Sequence, residues 1–131
     1  MEPDGRPLIL VVDDDATIRT LVTTILGQHG MEVAAAANGD EALTFIEQRR
    51  PDVMLLDLAM PRVDGLEVLR RVREHPTLGN LHVVILTATA NTARFQAVQS
   101  YRPDSHIEKP FRVNDLVTQV QRAISNSTVG K

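Results

Sequence analysis

Asp13, Asp14, Asp57, Thr87 and Lys109 are the residues of this chain whose types and spacing could do chemistry together. Each follows or closes a short run that reads as a strand, so each could sit at a strand's carboxyl end. Three carboxylates drawn close repel one another, and one would keep its proton unless a cation intervened. An oxygen-rich cluster with few ligands and room for water suits Mg²⁺, which prefers octahedral geometry and keeps several waters. An Asp carboxylate is also a nucleophile toward phosphorus, giving an acyl phosphate. A hard cation beside Asp57 would neutralise an incoming phosphoryl group, Lys109 would add a point charge, and the Thr87 hydroxyl could follow a phosphoryl oxygen. In phosphoryl transfer, positioning and charge stabilisation do nearly all the catalytic work. The set is complete for that task.

The elements that must position these residues are legible as changes of period. The run 53–56 is uninterruptedly apolar and ends on Asp57, the form of a strand buried on both faces. A first strand over 8–12 is closed by Asp13, Asp14 and Asp15. Over 16–29 the apolar residues Ile18, Leu21, Val22, Ile25 and Leu26 recur at three and four, a helical stripe, with Gly30 as its stop. A weaker strand covers 31–36, and its alanines place it near the sheet's edge. Asn38 and Glu41 have the spacing of a helix start; Ala42, Leu43 and Ile46 give that helix its buried side, and Pro51 stops it. Asp64 and Glu67 repeat the spacing before the stripe Leu66, Leu69 and Val72. The strand 83–86 ends on Thr87. A thinly apolar helix follows over 91–101, anchored by Phe95 and Val98. A short strand over 105–108 leads to Lys109, and Leu116, Val117, Val120 and Ile124 mark a final helix before a frayed tail at 125–131. Five strands alternating with five helices predict an α/β fold, a doubly wound parallel sheet. Right-handed crossovers put helices on both faces, and ligands bind such sheets at the strands' carboxyl ends.

The 131 residues predict one domain, 1–131, with a core over about 8–124 and short polar tails at 1–7 and 125–131. The absence of cysteine excludes disulfides and thiolate metal sites and fits a reducing, cytoplasmic setting. Residues 1–7 lack the apolar core of a signal peptide, and no run is long enough to span a bilayer. A net charge of −3 with 3% aromatic residues argues against nucleic-acid binding by this chain. The arginines at 49, 50, 70, 71 and 73 stand beside acids and read as solvated faces.

Five motifs in order carry a resemblance: the acidic pair after Leu8–Val12, the run from Asp52 to Asp57, Met60-Pro61 followed by Asp64-Gly65, Leu86-Thr87-Ala88, and Lys109-Pro110-Phe111. The chain resembles the receiver domain of bacterial two-component response regulators over about 8–124. The resemblance implies a flavodoxin-like sheet in the order 2-1-3-4-5. It implies that Asp57 accepts a phosphoryl group from a phosphohistidine on a sensor histidine kinase or phosphotransfer protein. Asp13 and Asp14 would hold Mg²⁺, with Asp57 and the backbone carbonyl of Ala59 completing the protein ligands. Thr87, Ala88 and Lys109 would contact the phosphoryl group, and the Lys109-Pro110 bond is expected to be cis. Thr87 would then shift and residue 106 move inward, changing the face of the fourth helix, fifth strand and fifth helix for a downstream protein target. Such a protein is a signalling switch, not a conventional enzyme, and is expected to be a monomer or weak dimer.

Departures from the family pattern bear on the readout. Position 106, usually aromatic, is His106, and an imidazole is smaller than a phenol and of the one side-chain type able to change charge near neutral pH; a pH-sensitive switch and a histidine without a signalling role both remain open. Receivers often have Gly-Ala before the fifth strand, where this chain has Tyr101-Arg102-Pro103. A residue before proline is pushed toward extended geometry, so the fourth helix is expected to end differently. Ala59 and Thr89 leave the lifetime of the acyl phosphate open. Asp13-Asp14-Asp15 also has the Asp-x-Asp spacing of haloacid-dehalogenase-like phosphatases, which would put the nucleophile at Asp13, and an interaction module independent of phosphorylation is a third class. A stand-alone regulator and a receiver cut from a larger protein fit the sequence equally. His29, His75 and His82 lack metal-ligand spacing and are assigned no role.

Overall fold

Branched apolar runs form the strands β1 (Leu8–Val12), β2 (Glu32–Ala36), β3 (Val53–Asp57), β4 (His82–Thr87) and β5 (Ser105–Glu108). The computed structural model describes residues 5–60, 63–88 and 93–129. The strands make one parallel sheet in the order β2-β1-β3-β4-β5, as expected. Every residue of β1 and β3 is buried, whereas alanine-rich β2 lies at an edge and is partly open. Side chains alternate between the faces. Leu10, Val12, Met54, Leu56, Val83 and Ile85 face α2 (Gly39–Gln48), α3 (Gly65–Glu74) and Val98 of α4 (Ala93–Val98). Ile9, Val11, Leu55, Val84 and Leu86 face α1 (Ala16–Gly27) and α5 (Val113–Val129).

Register sets the site. Val12 pairs with Leu56, Asp57 with Leu86, and Thr87 with Glu108. Positions 13 and 57 are therefore level, 87 lies one residue step further and 109 two, all along the same sheet edge. Helix caps hold the intervening turns. Asp15 accepts from the Thr17 N–H at 2.8 Å and Asn38 from the Glu41 N–H at 2.9 Å, while the Glu41 carboxylate reaches back to the Ala37 N–H at 2.8 Å. Asp64 caps α3 through the Glu67 N–H at 3.1 Å. The Glu67 carboxylate does not return the bond: it binds Arg70 and Arg71 instead, so this box is only half formed.

Three expectations are corrected. First, α5 continues to Val129, so 125–129 is helix and not a frayed tail. Ser, Asn and Thr lower helix propensity only modestly, and neither glycine nor proline interrupts before Gly130. Second, Arg102 is not extended: it takes the left-handed conformation, φ 56° and ψ 58°, at the end of the 3₁₀ turn Gln99–Tyr101 that follows α4. Third, Arg73 is not a solvated side chain, being only 6% exposed. The predicted start of the fourth helix at 91, and Thr89, lie outside the described residues.

The second and third corrections have one cause. Arg73 Nε donates to the Tyr101 carbonyl at 2.9 Å and Nη2 to the Arg102 carbonyl at 2.7 Å. Nη1 donates to the Gly79 and Leu81 carbonyls at 3.1 and 2.6 Å, and Nη2 also meets Asp104 at 3.2 Å. Asp104 in turn accepts from the Val83 N–H at 2.8 Å. One guanidinium thus ties the end of α3 to the start of β4 and to the turn entering β5, and that turn closes only with residue 102 left-handed. A non-glycine residue there costs about 1–2 kcal/mol. Arg102→Gly is therefore expected to raise stability in urea by about 1 kcal/mol. Arg73→Met, which strands several carbonyls, should lower it by about 3 kcal/mol or more. If Arg102→Gly destabilised the protein, the claim that the guanidinium imposes this conformation would be wrong.

Candidate functional site

Asp13 is fully buried where β1 turns into α1, and each of its polar groups is held. Its N–H donates to the Ala36 carbonyl of β2 at 3.1 Å. Oδ1 accepts from the Asp15 N–H at 2.9 Å, Oδ2 from Lys109 Nζ at 2.7 Å, and the main-chain carbonyl from Arg19 Nη1 at 2.8 Å. Asp57 at the end of β3 is also buried; Oδ1 accepts from the Ala59 N–H at 3.2 Å and lies 3.6 Å from Lys109 Nζ. Asp14 is exposed, and its carboxylate makes no hydrogen bond among the described residues. Carboxylate oxygens of Asp13, Asp14 and Asp57 lie within 4.8 Å of one another.

The electrostatics follow from three carboxylates meeting one ammonium. Burial, reinforced by the charge of Asp13, pushes the Asp57 carboxyl up to about 6, against the pull of Lys109 and the Ala59 N–H. Burial alone would lower the Lys109 pKa, but its bond to Asp13 and the charge of Asp57 outweigh it and the net direction is upward. Lys109 is therefore a fixed cation, and negative charge remains in excess. All-oxygen donors with one side open to water and a carboxyl driven toward neutrality fit a hard divalent cation.

The surrounding backbone holds Asp57 closely. Gly65 donates its N–H to the Leu58 carbonyl at 3.2 Å, and a Cβ at Gly65 would land on the Asp57 carbonyl oxygen and the Leu58 Cα. Only glycine allows that approach. Thr87 is buried at the end of β4, its carbonyl accepting from the Lys109 N–H at 2.7 Å, and the Lys109–Pro110 peptide is cis as expected. Ala88 follows in an exposed position, as does Ala59 after Asp57. Asp13, Asp14, Asp57 and Lys109 thus form one cluster, with Thr87 and Ala88 at the neighbouring strand end and Ala59 in the next loop. His106 stands apart on β5, exposed and opposite Ile85, its ring edge-on to Phe95 at 5.0 Å between centroids and 75° between planes.

Two residues at this site carry more than sequence reading assigned them. Gly65 was legible only as part of a motif; its reason is the contact with the strand end. Arg19 carried a signal that went unread: it is the fourth residue of α1, where a cation opposes the helix dipole.

Comparison with known proteins agrees with this architecture. The family model described as the response regulator receiver domain matches residues 9–121. The DNA-binding response regulator MtrA of Mycobacterium tuberculosis is 36% identical over 116 residues, 88% of this chain and 50% of that protein. The response regulator MprA of Mycolicibacterium vanbaalenii is 37% identical over 120 residues, 92% of this chain and 51% of that protein. The chain therefore spans about half the length of the curated relatives it matches. Among solved structures, the Vibrio cholerae chemotaxis protein CheY4 superposes with a TM-score of 0.86 at 30% identity, covering 91% of this chain and 99% of that one. The receiver domain of NtrX from Brucella abortus gives 0.81 at 34% identity, covering 89% and 98%. On the matched span and these identities, the chain belongs to the response regulator receiver domain family.

Proposed function

We propose that the chain is a phosphoacceptor switch in which Asp57 takes a phosphoryl group from a phosphohistidine on a sensor histidine kinase or phosphotransfer protein. The observation that carries this reading is the Asp57 carboxylate, buried at a strand end, one edge held by the Ala59 N–H and Lys109 Nζ 3.6 Å away. A carboxylate oxygen of Asp57 forms the new bond to phosphorus as the bond from phosphorus to the imidazole nitrogen breaks, its electron pair returning to the ring. Mg²⁺, held by Asp13, Asp14, Asp57 and the Ala59 carbonyl, would supply countercharge for the transferring group. Lys109, already shared between Asp13 and Asp57, supplies a second, fixed positive charge. Thr87 and Ala88 line the side on which the phosphoryl oxygens would lie.

A phosphatase using Asp13 as nucleophile is disfavoured by the same geometry. Each Asp13 oxygen already accepts one hydrogen bond, which leaves a lone pair for a cation but weakens the fully buried carboxylate as a nucleophile, and the Asp15 carboxylate caps α1. The signal is proposed to leave through Thr87 and His106 to the face of α4, β5 and α5, where a protein target docks. A cytoplasmic protein, monomeric or weakly dimeric and without nucleic-acid contacts of its own, is the corresponding setting; no described helix is long and apolar enough to cross a membrane.

Incubation with a small-molecule phosphodonor and Mg²⁺ is expected to add the mass of one phosphoryl group to the wild type. Asp57→Asn should gain nothing, Asp13→Asn should still be labelled though more slowly, and excess EDTA should suppress the reaction. A label lost in Asp13→Asn but retained in Asp57→Asn would overturn the assignment. A second expectation concerns pH. The folded Asp57 carboxyl at about 6 lies above its ordinary 3.8, so folding favours the protonated form. Its stabilising contribution is complete below about pH 4 and is lost as pH rises through 6. In EDTA at pH 7.5, Asp57→Asn should therefore be more stable than wild type by about 1–3 kcal/mol after screening is allowed for. Urea melts across pH should show that gain shrinking as pH falls below 6 and vanishing only below about pH 4. For the readout, His106→Ala should narrow the difference in target affinity between phosphorylated and unphosphorylated protein; an unchanged difference removes His106 from the switch.

A further inference from the structure

The acidic turn after β1 has a support that the site's chemistry does not use directly. Arg19 folds back along α1 so that Nη1 donates to the Asp13 carbonyl at 2.8 Å. That carbonyl belongs to the peptide joining Asp13 to Asp14. Asp13's side chain is already fixed by the Asp15 N–H and Lys109, but Asp14 has no side-chain partner among the described residues. With no side-chain contact to hold it, the Asp14 carboxylate can reach only from where its main chain places the Cβ, and the Asp13–Asp14 peptide is the part of that main chain Arg19 grips. A charge-assisted bond to a carbonyl resists rotation of the peptide more strongly than a neutral one.

Helix stability gives no reason for this arrangement. The guanidinium lies at the amino-terminal end of α1, where the dipole disfavours a cation. Asp15 already caps the helix through the Thr17 N–H. An arginine used only for solubility would extend into water, and this one is half-buried against the turn.

We propose that Arg19 is a positioning residue for divalent-cation binding: by holding the Asp13 carbonyl it aims the Asp14 carboxylate at the cation shared with Asp13 and Asp57. This rests on the phosphoacceptor reading and deepens it. The sign of the effect separates it from simple electrostatics. A guanidinium beside an acidic cluster repels Mg²⁺, so removing it should by charge alone tighten Mg²⁺ binding. Loss of positioning weakens it.

The test is Mg²⁺ binding by the full chain, measured by calorimetry without phosphodonor, for wild type, Arg19→Met, Arg19→Lys and Arg19→Gln. Arg19→Met is expected to bind Mg²⁺ about 10-fold more weakly, the low end of what removing an outer partner costs. Arg19→Lys, which keeps one charged donor, should recover part of the loss, and Arg19→Gln less. With phosphodonor added, the Mg²⁺ concentration giving half-maximal labelling should rise in Arg19→Met while the rate at saturating Mg²⁺ stays within about two-fold of wild type, because a ligand that is only misaimed is recaptured once the site is filled. Should Arg19→Met fail to fold, the ranking of Lys above Gln in Mg²⁺ affinity decides the matter. Unchanged or tighter Mg²⁺ binding in Arg19→Met, or Gln equal to Lys, overturns the proposal. A wild type that binds no Mg²⁺ instead overturns the reading beneath it.

Discussion

One ammonium shared by two buried carboxylates is the constraint around which the rest of this fold is arranged. Lys109 lies 2.7 Å from Asp13 and 3.6 Å from Asp57; Asp13 is fully buried and Asp57 keeps only a sliver of exposure on the open side of the site. Burying a charge without a partner is among the costliest acts in folding, so these three side chains can coexist only if their strands arrive in fixed register. Asp13 closes β1, Asp57 closes β3, and Lys109 follows β5, with β4 between the last two. The central strands are uniformly apolar, and that provides the free energy against which the charged edge is held. The partial compensation is visible in Asp57, which burial pushes up to about 6 despite the nearby cation.

The opposite end of the sheet has a cationic staple of a different kind. Arg73 meets carbonyls where Lys109 meets carboxylates, and its office is to close the backbone of the turn between the 3₁₀ segment and β5. α4 is thereby tied at its carboxyl-terminal end to α3.

The two staples mark the boundary of what was legible in the sequence. The strands were legible because an apolar run between turn residues has few alternatives, and β1, β3 and β5 begin and end where the pattern of residues says. The cluster was legible because parallel strands share a direction, so acids at successive strand ends must converge. Arg73 was not legible, since an arginine among Arg70, Arg71 and Glu74 looks solvated until its partners, about 30 residues along the chain, are in place. Arg102 was misread for the same reason: local sterics before proline favour extended geometry, and a distant guanidinium overrules them. The end of α5 was misread because polar residues were taken for a stop, although none of them lacks the N–H or the rotamers that a helix requires.

Local rules fail most informatively where they fail near the site. A cation at the start of α1 opposes the helix dipole, and an acid buried beside another acid opposes its own ionisation. Neither arrangement serves the element that carries it. Both become consistent once the acidic turn is regarded as a receptor for positive charge, with Lys109 supplying part and leaving an excess of carboxylate. Asp14 is the member with no protein partner among those described, exposed on the open side of the cluster. A fold that fixes Asp13 at four atoms, and Asp57 through both the Ala59 N–H and Gly65, yet leaves the adjacent carboxylate to its backbone alone, has placed its one adjustable ligand where a cation would enter.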